Sequence, residues 1–183
     1  MNREFFEQNT VAVAEQMIGC LLMRKIRGET VLVRITETEA YRGQDDPASH
    51  AYPGITGRNR VMFGAPGRLY VYLSYGIHSC MNVVTEPEGI PGAVLLRAAV
   101  PVEGLPLIRS FRPGIPDKHL LNGPGKLTKG LSISLDFNGY DLFSIESAVL
   151  LLPKKRQLPI KRTERIGISK GKEKLWRFVA ETT

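Results

Sequence analysis

Cysteine is scarce in this chain: two in 183 residues. Cys20 and Cys80 both fall in apolar, strand-like stretches without metal-ligand spacing, so they read as free core thiols of a reducing compartment rather than as a disulfide framework or a metal site. No apolar run approaches the ~18 residues of a membrane helix, and Met1 to Glu7 is charged rather than signal-like, so a cytosolic chain without a membrane partner is expected. Repeats, low-complexity tracts and linkers are absent from the sequence. Gly123-Pro124-Gly125-Lys126 lacks the spacing of a phosphate-binding P-loop, so nucleotide hydrolysis is not indicated.

What is present is ordinary globular composition, 43% apolar and 23% charged, enough for a single domain over residues 1–183 with a real core. The formal charge of +7 and pI near 9.6 favour a polyanionic partner, because neutralised phosphates supply most sequence-independent affinity for nucleic acid.

Two charged groups interrupt apolar patterns. Between Val31 and Tyr41, alternation predicts a strand with Val31, Val33, Ile35, Glu37, Glu39 and Tyr41 on one face and Arg34, Thr36 and Thr38 on the other. The core side then ends in carboxylates, which are buried only when paired or used; the alternative is that both glutamates lie beyond the buried part. Ala93 to Val100 reads as a central strand carrying Arg97. Its simplest anion is Glu37 or Glu39, and that pairing would keep a general base ionised or serve only as a buried salt bridge.

The remaining pattern suggests α+β. Thr10 can cap a helix to Ile18 that Gly19 stops, and strands at Cys20–Lys25 and Glu29–Ala40 flank a turn at Arg27-Gly28. Asp45-Asp46-Pro47 resembles a helix start, with His50 one turn in. Gly and Pro punctuate residues 104 to 125, a short helix follows Pro124, and strands resume over Asp141–Leu152 and Leu175–Val179. Leu69 to Asn82 predicts a hairpin with Tyr75-Gly76 at its turn. An exposed Tyr75 could wedge into a base stack or pack back on its own hairpin. Arg58, Asn59, Arg60 and Lys126 are donors suited to a phosphate backbone.

Glu37-Thr38-Glu39-Ala40-Tyr41, Ala48-Ser49-His50, Arg58-Asn59-Arg60 with Met62-Phe63, Leu69-Tyr70-Val71-Tyr72, Tyr75-Gly76, Cys80-Met81-Asn82 and Leu95-Leu96-Arg97-Ala98 resemble the alkyladenine (3-methyladenine) DNA glycosylase family. Asn122 to Leu127, Arg165-Ile166-Gly167 and Trp176-Arg177-Phe178 continue the resemblance in order, and it is weakest over Phe111–His119 and Leu151–Lys161. It implies a curved, mainly antiparallel β-sheet with flanking helices and a protruding hairpin that intercalates into DNA.

By the same resemblance, Glu39 is similar to the general base that activates water for attack on C1′ of a flipped nucleotide, and Arg97 to the residue holding that carboxylate. Tyr41 on one side and His50 and Tyr72 on the other would sandwich the base, Tyr75 would fill the gap in the duplex, and Asn82 would screen out guanine. Arg58, Asn59, Arg60, Met62 and Lys126 fall in motifs expected to contact DNA. The expected partner is double-stranded DNA with a damaged purine, met by a monomer with no cofactor and no metal. A purine alkylated at N3 or N7 is cationic and already labile, whereas hypoxanthine or ethenoadenine would need a leaving-group proton, from His50 or an ordered water. No lysine lies in the two pocket motifs, so the nucleophile is expected to be water rather than a Schiff-base amine. Two other classes stay open: an Mg²⁺ nuclease using Glu37, Glu39, Asp45 and Asp46, and a non-catalytic damage-binding module.

Overall fold

Apolar residues, aliphatic above all, recur through the segments that pair into an eight-stranded antiparallel sheet, in a computed structural model that describes residues 1–181. The strands are β1 (Leu21–Ile26), β2 (Glu29–Tyr41), β3 (Leu69–Ser74), β4 (His78–Val84), β5 (Ala93–Glu103), β6 (Val149–Leu152), β7 (Ile160–Thr163) and β8 (Arg177–Ala180). They run β3-β4-β5-β2-β1-β6, with β8 on the far half of β2 and β7 outside β8. The sheet curls into a half-barrel. Three short helices flank it: α1 (Thr10–Gln16), α2 (Leu105–Phe111) and α3 (Pro124–Gly130). The expected α+β class and antiparallel sheet are borne out.

One irregularity in β2 positions the site. Ile35 lies opposite Ala99 and Glu37 opposite Ala98, so Thr36 is an extra residue; Thr38 then faces Leu96, skipping Arg97. A bulge of this kind slips the alternation by one residue and sends every later side chain to the other face. Val31, Val33 and Ile35 accordingly share the main core with Ala40, and the Thr38 hydroxyl donates to the Ala14 carbonyl of α1 at 2.7 Å. Glu37 and Glu39 turn instead to Arg97 on the opposite side. The single face expected for Val31 through Tyr41 is therefore corrected: its apolar half and its carboxylate half look in opposite directions. At the same place β2 changes neighbour, from β1 along Glu29–Arg34 to β8 along Glu37–Glu39.

The main core packs Phe6, Val13, Ala14 and Met17 against the apolar faces of β2 and β5, and a smaller cluster of Ala51, Met62, Tyr70, Val84 and Ala93 lies under the hairpin. Asn9 rather than Thr10 caps α1, accepting the Val11 N–H; the Thr10 N–H and hydroxyl both reach Glu86, which ties the helix to the loop before β5. No helix starts at Asp46. Its carboxylate accepts the N–H groups of Arg42 and Ala48 and pairs with Arg165, which folds residues 43–53 into successive turns. Arg27 and Gly28 make the β1–β2 turn, both with positive φ. Among the described residues no helix is long and apolar enough to cross a membrane.

Candidate active site

The β3–β4 hairpin, the C-terminal half of β2, β5 and the turn-rich segment 43–59 enclose a cavity of about 500 Å³. Tyr41, His50, Tyr72, Asn82 and Arg97 all line it, as does Ile166. The structure thus brings together every residue that the sequence singled out for the base pocket. His50 stands edge-on to Tyr72, with ring centroids 4.6 Å apart, and its Nδ1 lies 3.0 Å from the Tyr70 hydroxyl. Burial, reinforced by the Arg58 charge, lowers the His50 pKa from its ordinary value, which favours the neutral imidazole. Burial likewise raises the pKa of Tyr72, and burial together with Glu39 raises that of Tyr41. Asn82 is 3% exposed and its amide donates to the Tyr70 carbonyl at 2.9 Å, which fixes its orientation at the cavity wall.

Behind Tyr41 and Arg97 lies Glu39, with no exposed surface. One carboxylate oxygen accepts the Ile166 N–H at 2.7 Å, and the other accepts the Tyr41 hydroxyl at 2.8 Å and Arg97 Nη1 at 3.2 Å. Arg97 Nε donates to Glu37 at 2.8 Å, and Arg177 of β8 donates to the same Glu37 oxygen at 2.6 Å. The expected pairing of Arg97 with one glutamate is therefore a shared pairing with both. Burial alone would lower the Arg97 pKa, but Glu39 and Glu37 outweigh it and hold the pKa raised. Glu39 does not itself line the cavity, whereas Tyr41, Arg97 and Ile166, which hydrogen-bond it, do. Each carboxylate oxygen has more than one acceptor position, and the Ile166-bonded oxygen has capacity left. The other carboxylates are committed elsewhere: Asp46 to Arg165 and Asp45 to Arg42. Among the described residues no group of three or more metal-binding side chains converges.

The hairpin turn projects Tyr75, 89% exposed, with Ile77 beside it at 74%. Both Tyr75 and Gly76 have positive φ, which closes the loop tightly and aims the ring outward. Arg58 lies at the cavity mouth, over the Tyr72 ring at 5.2 Å, and Arg60 is exposed. Lys126 is exposed at the start of α3 and donates to Asn122. Two residues of the expected DNA-contact set turn inward. Asn59 is 1% exposed and its side chain braces the loop, donating to the His50 and Gly54 carbonyls and accepting the Thr56 N–H; Met62, also 1% exposed, packs in the cluster under the cavity and lines its floor.

A family model described as methylpurine-DNA glycosylase (MPG) matches residues 4–183. The chain belongs to that family. It is a DNA glycosylase, a hydrolase of N-glycosidic bonds that acts in base excision repair. Its relatives include a protein of Carboxydothermus hydrogenoformans, 45% identical over 179 residues (96% of this chain and 92% of the relative), and one of Chlorobium luteolum, 46% identical over 178 residues (97% and 91%). A protein of Methanocella arvoryzae is 48% identical over 141 residues, 76% of this chain and 70% of its own. All three carry the name "Putative 3-methyladenine DNA glycosylase".

Several members of the glycosylase's polar network escape sequence reasoning. Arg177, the Ile166 N–H, and the Asp46–Arg165 pair each join residues 119 to 140 positions apart. The local signals were the Arg165-Ile166-Gly167 and Trp176-Arg177-Phe178 motifs, which marked these residues without pointing to their partners.

Proposed function

We propose that this glycosylase is monofunctional: it flips alkylated purines such as 3-methyladenine and 7-methylguanine out of duplex DNA and hydrolyses the glycosidic bond with water activated by Glu39. The observation that carries the reading is a fully buried carboxylate, held by a guanidinium, a phenol and a backbone amide, directly behind an aromatic cavity. In the reaction Glu39 accepts a proton from water as its oxygen attacks C1′, the C1′–N bond breaks, and the electron pair neutralises the positive charge of the alkylated base. The Glu39 oxygen bonded to the Ile166 N–H has an acceptor position left for that water. Arg97 orients the carboxylate. Tyr41 on one side and His50 and Tyr72 on the other offer electron-rich faces to a cationic base, and Asn82 crowds the exocyclic amine of normal guanine. Tyr75 occupies the space the base leaves, with Arg58, Arg60 and Lys126 on the flanking phosphates.

The test is release of free base from duplexes containing 7-methylguanine or 3-methyladenine, in EDTA, by the wild type and by Glu39→Gln. Release by the wild type and its loss in the variant is the expected result. Unimpaired release by Glu39→Gln would refute the assigned role, and activity that disappears in EDTA would point to the metal-dependent class. Hypoxanthine and ethenoadenine are slower substrates on this reading, because a neutral purine leaves only with a proton.

A further inference from the structure

We propose that Asp46, although outside the cavity, is a positioning residue that neutralises Arg165 behind the ring of Tyr41 and so keeps the pocket receptive to a positively charged purine as well as a neutral one. The inference rests on the reading of the cavity as a base pocket.

The Arg165 guanidinium lies over Tyr41, 4.7 Å from the ring centroid, and over Trp176 at 5.2 Å; Lys174 Nζ lies 4.4 Å from the same Trp176 ring. Tyr41 lines the cavity and Arg165 does not. A cationic purine stacked on the open side of Tyr41 would put a second cation against a ring that already carries Arg165. Adding a stacking distance of about 3.5 Å, that purine stands about 8 Å from the Arg165 charge. A cation already on one face of a ring opposes a second cation on the other. Asp46 offsets this field: its two oxygens take Arg165 Nη1 at 2.6 Å and Nη2 at 2.7 Å, and both side chains are completely buried. A buried ion pair is a poor source of stability compared with apolar packing. Arg165 Nε, moreover, is buried without an acceptor. Nη1 also donates to the Ala40 carbonyl at 2.9 Å and Nη2 to the Gly171 carbonyl at 3.5 Å, which fixes the guanidinium plane behind Tyr41. A neutral purine has no net charge for this field to act on.

The experiment compares affinities for duplexes carrying 7-methylguanine or hypoxanthine, each on a 2′-fluorinated sugar that resists hydrolysis, so binding is read without chemistry. The quantity is the ratio of the two dissociation constants, in which general damage to the pocket cancels. Asp46→Asn exposes the Arg165 charge and is expected to shift the ratio about tenfold against 7-methylguanine, for a unit charge about 10 Å away at an effective dielectric of about 20. Arg165→Gln leaves the Asp46 charge and is expected to shift it the other way. The double variant is expected to stay within about twofold of wild type. Equal ratios in wild type and both single variants, or shifts of the same sign, would overturn the inference. If one single variant fails to fold, the other carries the test, and an unchanged ratio in it overturns the proposal. A wild type that binds neither lesion duplex more tightly than undamaged DNA would instead refute the base-pocket reading, and the inference with it.

Discussion

Replacing Arg97 with Met tests the centre of the polar network. The side chain is 12% exposed and bridges Glu37 and a Glu39 with no exposure at all. After the substitution Glu37 keeps Arg177, and Glu39 keeps the Tyr41 hydroxyl and the Ile166 N–H. The cost therefore lies between losing a hydrogen bond to a charged group, about 1.5–3 kcal/mol, and orphaning a buried charge, about 3–5 kcal/mol. About 3 kcal/mol is expected. For a chain of this size that lowers Tm by roughly 6–12 °C. Adding Glu39→Gln removes the charge left unpaired, so the double variant should regain about 1–2 kcal/mol relative to Arg97→Met alone. Urea denaturation with unchanged m-values measures both steps. A loss below about 1 kcal/mol, or strict additivity of the two substitutions, would show that Arg97 does not hold the Glu39 carboxylate. Turnover should fall with the single substitution, and wild-type turnover in a folded Arg97→Met protein would make the arginine structural only.

Tyr75→Ser should leave stability within about 0.5 kcal/mol of wild type, because the ring is 89% exposed, yet weaken binding and processing of lesion duplex; equal processing would refute the wedge. The His50 pKa is lowered in the folded chain by burial and then by Arg58, so the unfolded state takes up a proton first. Its contribution to stability is complete above the unfolded value of about 6.5 and declines as pH falls from there to the lowered folded value. His50→Gln should flatten that part of the stability–pH curve, measured by urea denaturation at a series of pH values, and an unchanged slope would contradict the assignment.

Residues whose partners are close in sequence were the legible ones. The Leu69–Asn82 hairpin, its Tyr75-Gly76 turn and the Arg27-Gly28 turn follow from period-two alternation broken by a glycine, and β3, β4 and the β1–β2 turn lie where that reasoning put them. Arg97 in an apolar run pointed to a carboxylate partner, and it has two. Asp46-Pro47 misled because the Asp side chain answers to Arg165, 119 residues away, rather than to a local helix. β7 has no apolar alternation: Ile160 and Thr163 are half-buried, while Lys161 and Arg162 are exposed. Helix α2 lies in a stretch rich in Gly and Pro; Gly104, with a φ of 77°, enters it, and Pro106 is in its first turn, where its missing N–H costs nothing.

The sequence by itself determined the ingredients: a basic domain, an antiparallel frame, a tyrosine at a hairpin tip, two glutamates at the end of an apolar strand, and ordered motifs specific enough to indicate the family. Tertiary structure decided which way those glutamates face. The Thr36 bulge depends on how β2 pairs with β5 and β8, and a strict two-residue period carries no mark of a slipped register. It also supplied the Ile166 amide, Arg177 and the Asp46–Arg165 pair. Hydrogen bonds between residues more than 100 positions apart are chosen when the sheet curls and the loops close over it, because a buried charge must find whichever donor the fold brings within reach.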